Sequence, residues 1–229
     1  MKTRRHGFTI LELMIAVAIM GIVAAMTING LSGLSRRSAP SNASQDLYSQ
    51  LSSAHLQAVA RGQDVWFIVY PELAREGTDP GAGAYFTYLD PTGGLLANGY
   101  ADFAPDNLSP IAEGRLLEQV YLDDYSGKNV VFGAKANSSV PAPYGFDLTS
   151  GCSFCTTDGG ANRGAIVFSG NGTARFFDGD GTPVLALASG ANSAAKRSQY
   201  LSLKGREHPV GYGIVVNGTT SSISLFPQD

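Results

Sequence analysis

The sequence predicts an α+β chain: one long N-terminal helix, apolar through its first half, packed on a mainly antiparallel, β-rich head. Three observations predict it. Between Phe8 and Ser35 the only charged side chain is Glu12. Leu47, Leu51, Ala54 and Ala58 then recur at intervals of four, three and four, the spacing of one helical face. Beyond Asp64 the period changes, and short aromatic and β-branched runs alternate with Gly, Pro and Asn turns.

The 229 residues are enough for one globular core and a membrane segment. The formal net charge is −3, from 16 Lys and Arg against 19 Asp and Glu. Without Lys2, Arg4 and Arg5 the balance is 13 against 19, or −6. A mildly acidic body argues against a general affinity for nucleic acid or anionic lipid.

Leu13 to Leu34 is a run of 22 residues without a formal charge. As a helix it spans about 33 Å, enough to cross the hydrocarbon layer. A cleavable secretory signal would share the basic start, but its apolar core would be shorter and followed by a small-residue cleavage site. Arg4-Arg5 suggests twin-arginine export, yet the residues after it do not continue that pattern. A plain anchor fits the length and leaves Glu12 unexplained. An ionisable group in a membrane helix costs about 3 kcal/mol at the bilayer centre and is a functional candidate. Its bland alternative is a hydrated interfacial carboxylate.

The string Arg4-Arg5-His6-Gly7-Phe8-Thr9-Ile10-Leu11-Glu12-Leu13-Met14 resembles the processing site of type IV prepilins and type II secretion pseudopilins. The resemblance implies a cut between Gly7 and Phe8 by a prepilin peptidase, then N-methylation of Phe8. It implies residence in the inner membrane as a single-pass precursor with the head in the periplasm, then in a pilus or pseudopilus among other pilins. Physically, the cut frees an amine at Phe8, four residues before the Glu12 carboxylate. In a helix bundle Glu12 meets a neighbour's Phe8 amine, neutralising two charges in an apolar core and favouring one axial register. Lys2, Arg4 and Arg5 hold the precursor's N-terminus on the cytoplasmic side, outnumbering Arg36 and Arg37 beyond the span.

Gly21, Gly30 and Gly33 interrupt the apolar helix and Pro40 follows. Two readings stand: bending or melting around 30–41, or close helix packing through glycine faces. Ser41-Asn42-Ala43-Ser44 reads as a helix restart, and Gly62 as the C-terminal stop. The expected division is a leader at 1–7, a transmembrane or filament-core helix at 8–34, an amphipathic continuation at 35–62 and a β head at 63–229. Strands are expected at 65–70, 84–89, 116–122, 129–132, 165–169, 173–177, 184–188, 200–204, 211–216 and 222–226. Gly170-Asn171-Gly172 marks a hairpin and Asn217-Gly218 a turn.

The helix end Leu51-x-x-Ala54-x-x-x-Ala58-x-x-Arg61-Gly62-x-x-Val65, with Gly164-Ala165-Ile166-Val167-Phe168 and Gly170-x-Gly172, is similar to the GspH/FimT family of minor pilins and pseudopilins. That resemblance implies a minor subunit that primes assembly or sits near the tip; the alternatives are a major pilin or a DNA-binding minor pilin for DNA uptake. Stretches 71–115 and 134–163 stand as insertions against the family pattern.

Cys152 and Cys155 lie in a loop-like context, where a structural disulfide is expected ahead of free thiols or a redox or metal role. His6, His55 and His208 are too scattered to complete a zinc site. Asp178 and Asp180 place oxygens at alternate positions as calcium loops do, but Ser189 stands where an EF-hand needs an acid; an acidic turn is the expected reading. Some FimT-like pilins bind DNA through a basic patch. Here Arg163, Arg175, Lys196, Arg197, Lys204 and Arg206 are spread out and interspersed with Asp178, Asp180 and Glu207, so nucleic acid is not an expected partner. No catalytic triad, phosphate loop or paired histidine motif is present, and neither an enzyme nor a cofactor is expected.

Overall fold

The computed structural model describes residues 9–76, 80–98, 100–125, 129–145, 147–185, 197–207 and 209–228, with the backbone alone for 28–37. Helix α1 runs from Ile10 to Arg61, 52 residues without interruption. Gly62 ends it at φ 65°, a left-handed conformation that a side chain would strain, and its N–H reaches the Ala58 carbonyl.

The restart expected at Ser41–Ser44 does not occur, and neither does melting around 30–41. Pro40 sits inside α1. Its ring forfeits one helical hydrogen bond, a cost of about 3 kcal/mol, yet Pro40 is itself buried. Ala39 and Ala43 are buried beside it, and the Ser44 hydroxyl donates to the Pro40 carbonyl at 2.6 Å. Packing on the head outweighs the missing bond. Gly21 has open space where a Cβ would stand, so it makes no close helix contact within one chain.

Leu47, Leu51, Ala54 and Ala58 are all fully buried, as their spacing predicts. They pack on two sheets. The first is centred on β1 (Asp64–Tyr70), with β2 (Ala84–Asp90) on one side and β3 (Arg115–Tyr121) outside it. The second contains β4 (Val130–Phe132) and three later strands. Between these come the two-residue pair β5 (Ser138–Ser139) and β6 (Asp147–Leu148), and then β7 (Thr156–Asp158). On the other side of β1 lies β8 (Ala161–Phe168), whose two halves pair with β7 and with β9 (Ala174–Phe177). The second sheet is completed by β10 (Ser198–Gly205), β11 (Gly211–Asn217) and β12 (Ile223–Pro227), in the order β12-β11-β10-β4. All pairings are antiparallel.

β1 is buried on both faces. Val65, Phe67 and Val69 face α1, whereas Trp66, Ile68 and Tyr70 face a second core with Phe86, Tyr88, Leu95, Tyr100 and Phe103. The stretch 71–115 thus supplies β2 and then a cover for its outer face. It includes a short helix α2 (Gly94–Ala97), whose Gly94 and Leu95 amides donate to the buried Asp90 carboxylate. The first part of the stretch 134–163 covers the outer face of the second sheet, where Val140 and Leu148 pack on Tyr200 and Val215, and its last part supplies β7 and the start of β8.

The hairpin expected at Gly170-Asn171-Gly172 forms, with the Gly172 amide donating to Ser169 at 2.9 Å. The strand expected at 184–188 is corrected for its first two residues. Pro183 bridges to Phe177 and the Val184 amide donates to the Phe176 carbonyl, an isolated bridge to β9, and Val184 and Leu185 lie in no strand. Residues 186–188 lie outside the described residues.

A polar seam flanks the apolar one. Asp46 of α1 accepts from the Tyr125 hydroxyl at 2.8 Å, and Gln50 donates to Glu118 of β3 at 2.6 Å. Burial, and for Tyr125 also the Asp46 carboxylate, raises the phenols of Tyr85 and Tyr125 well above the ordinary range; burial does the same for Tyr100. These groups are raised in the folded state, so the native chain holds their protons longer than the unfolded chain, whose phenols titrate near pH 10. Their stabilising contribution is complete below about pH 10 and is lost as pH rises beyond it. In an alkaline absorbance titration at 295 nm, the phenolate signal of these three tyrosines is expected only with unfolding. Their ionisation at about pH 10 in the folded chain contradicts this.

Candidate functional site

The N-terminal stem is the candidate. Ile10–Thr27 has a mean hydropathy of 2.3, and none of it is buried in the chain's own fold. It is long and apolar enough to cross a membrane. Such a surface in water carries a large free-energy cost, so this half of α1 needs lipid or other chains around it.

Glu12 lies in the first turn of α1. Thr9 is the N-cap: its hydroxyl accepts from the Glu12 amide at 3.2 Å, while the Glu12 carboxylate accepts from the Thr9 amide and hydroxyl, each at 3.1 Å. This reciprocal capping box satisfies two donors that have no partner within the helix. The sequence carries its signature, Thr-x-x-Glu, though the resemblance drew attention to the acid's charge alone. Gly7 and Phe8 lie outside the described residues.

Cys152 and Cys155 form a disulfide. Asp178 and Asp180 are tied into their own turn: both accept from the Thr182 amide, at 2.9 and 2.8 Å. Burial and the adjacent Asp180 raise the Asp178 carboxyl, whereas hydrogen bonding from Thr182 lowers that of Asp180. Among the described residues no group of three or more His, Cys, Asp or Glu is arranged to hold a metal ion.

Of the basic residues described, Arg175 and Arg197 both line the cleft beside β9, whereas Arg163 is turned inward. Arg163 is buried, donating to the carbonyls of Gly179 at 2.8 Å and Phe103 at 3.0 Å, with its guanidinium 4.8 Å above the Tyr100 ring. The Tyr100 hydroxyl in turn donates to the Asp178 carbonyl. Arg163 therefore pins the chain around 100–103 and the turn at 178–181 to the first sheet. A buried cation of this kind has no local sequence signal. Arg175 is held by Asp64 at 2.9 Å. Lys196 and His208 lie outside the described residues. An apolar cleft of about 460 Å³ lies beside β9, near Phe177, Pro183 and Leu185. Its lining among the described residues includes no carboxylate and no histidine.

The two glycine motifs meet at the foot of α1. A Cβ on Gly170 would stand 2.5 Å from the Gly62 carbonyl carbon and 2.7 Å from its Cα. The β8–β9 turn thus lies directly on the backbone that ends the helix. The spacing of these motifs is a packing requirement between helix and sheet.

Set beside known proteins, residues 2–28 match the family description "prokaryotic N-terminal methylation motif". The match supports a type IV pilin-like structural subunit, anchored in a membrane by its apolar helix. No curated protein and no solved structure matches the chain.

Proposed function

We propose that this chain is a filament subunit of a type IV pilus or type II secretion pseudopilus, of the minor, GspH/FimT-like kind. The observation that carries the reading is the stem. The residues that match the methylation motif include an apolar helical span wholly exposed in the isolated chain, and the same helix continues unbroken into the core of the head. A membrane accommodates the exposed half first and a bundle of like helices accommodates it later, with no change in the head.

In this reading residues 1–7 are a leader removed by a prepilin peptidase, and Phe8 becomes an N-methylated terminus. The stem 8–34 holds the precursor in the inner membrane with its head in the periplasm, and then forms the filament core. The partners are other pilins or pseudopilins. The helix end, the Gly170-x-Gly172 turn and their backbone contact support the GspH/FimT assignment. A DNA-uptake role gains nothing from Arg163 and Arg175, which are spent on internal contacts.

Mass spectrometry of the protein from membranes and from sheared filaments tests the processing. The expected mature chain begins with N-methyl-Phe8 and lacks the first seven residues. A mature chain that retains them, or that begins elsewhere, overturns the proposal. Low abundance in the sheared filaments is expected of a minor subunit; dominance there identifies a major one.

A further inference from the structure

β4 covers only one end of β10. Leu203, Lys204 and Gly205 pair with Phe132, Val131 and Val130, whereas β10 begins at Ser198. The rest of that edge is occupied by the disulfide segment. The Ser202 amide donates to Gly151 at 2.8 Å and the Ser153 amide to Tyr200 at 3.0 Å, with Cys152 bridged to Leu201 between them. The Ser153 hydroxyl accepts from the Tyr200 amide at 2.8 Å and reaches the Gln199 side chain at 2.7 Å.

The strand alternates strictly. The amides of Tyr200 and Ser202 point at the disulfide segment. The register with β11, closed by Gly218 to Arg197 at one end and Gly205 to Val210 at the other, sends those of Leu201 and Leu203 the opposite way. Just after Cys155 the chain enters β7 and joins the other sheet. The ring closed by the disulfide therefore sits where the chain passes from one sheet to the other, with Phe154 buried between them against Phe176.

An open strand edge is a template for pairing with another chain. We propose that the Cys152–Cys155 disulfide is a redox latch on this edge. Oxidised, it holds Gly151–Ser153 on β10; reduced, it releases them and strips the amides of Tyr200 and Ser202 of their partners, while the Ser202 carbonyl keeps the Gly133 amide. Opening breaks the S–S bond and forms two thiols, with two electrons and two protons supplied by a dithiol that leaves as its own disulfide. Closing reverses this with a disulfide oxidant. The head is accordingly unsealed on a side of the membrane where thiols stay reduced and sealed where they are oxidised. The latch does not depend on the filament reading.

The test is residue-resolved amide hydrogen exchange on the full-length protein in detergent micelles. It compares the oxidised chain, the chain reduced with dithiothreitol, and the double variant Cys152→Ala with Cys155→Ala. Reduction and the variant are both expected to speed exchange at Tyr200 and Ser202 about 20-fold, the ratio set by the chain entropy of so small a ring. Leu201 and Leu203 keep their protection, and reoxidation restores the other two. Two results overturn the latch. In one, Tyr200 and Ser202 stay protected after reduction. In the other, Leu201 and Leu203 lose protection with them, which makes the disulfide a support for the whole head instead of one edge.

Discussion

Glu12→Ala is expected to enter the membrane normally and to be nearly absent from filaments. In the proposed filament, removing the carboxylate leaves a neighbour's Phe8 amine without its counter-charge, an expected loss of about 3–5 kcal/mol. Since each 1.4 kcal/mol is about tenfold, incorporation relative to the membrane pool should fall on the order of a hundredfold or more. The same change also removes the capping box with Thr9, worth about 1 kcal/mol. Glu12→Gln separates the two effects: the amide oxygen still accepts from Thr9, but the charge is gone. If the account is right, Gln fails almost as badly as Ala in quantitative blots of sheared filaments. Should Gln assemble like the native chain while Ala does not, helix capping is the role of Glu12 and charge pairing is not.

Gly170→Val is expected to destabilise the head by about 3 kcal/mol, at the upper end for forced overpacking. The added side chain has backbone on its far side, the Gly62 carbonyl carbon 2.5 Å from the new Cβ, and backbone cannot rotate away as a side chain would. Urea unfolding of the full-length protein in micelles measures this directly. Trp66 is the sole tryptophan and is fully buried, so its emission reports on the core without labels. Gly172→Val serves as the comparison. The nearest atom to its Cβ is 4.0 Å away, but its φ of 81° strains any side chain, so its cost comes from conformation and not collision. A midpoint for Gly170→Val equal to that of the native chain removes the packing explanation for the motif.

The parts of this structure legible in the sequence are those set by near neighbours. The stripe Leu47, Leu51, Ala54 and Ala58, the stop at Gly62 and the hairpin after Ser169 each depend on a few consecutive residues, and each forms as read. The aromatic runs at Val65–Tyr70 and Ala84–Leu89 became central strands for the same reason. Pro40 was misleading because its local cost is overridden by burial that only the assembled head provides. The cover at 91–114 has no period to detect: Leu95 reaches the second core from the one-turn helix α2, and Tyr100 and Phe103 reach it from the irregular chain that follows. Arg163 reads as solvated charge from its neighbours in sequence, yet its partners Phe103 and Gly179 lie on separate segments. The same holds for the cysteines. Their chemistry was readable, but the pairing of Cys152 with Leu201 joins residues far apart in the chain.

Because α1 is a single helix from Ile10 to Arg61, a force applied along the stem reaches the head parallel to the seam that holds it. That seam extends from Ala39 to Ala58, about 29 Å at the helical rise. An axial pull therefore shears every contact along it together, where a sideways pull would peel them one after another. Parallel loading makes the weakest single contact matter little, and a subunit built this way resists traction far better than its modest polar seam would suggest.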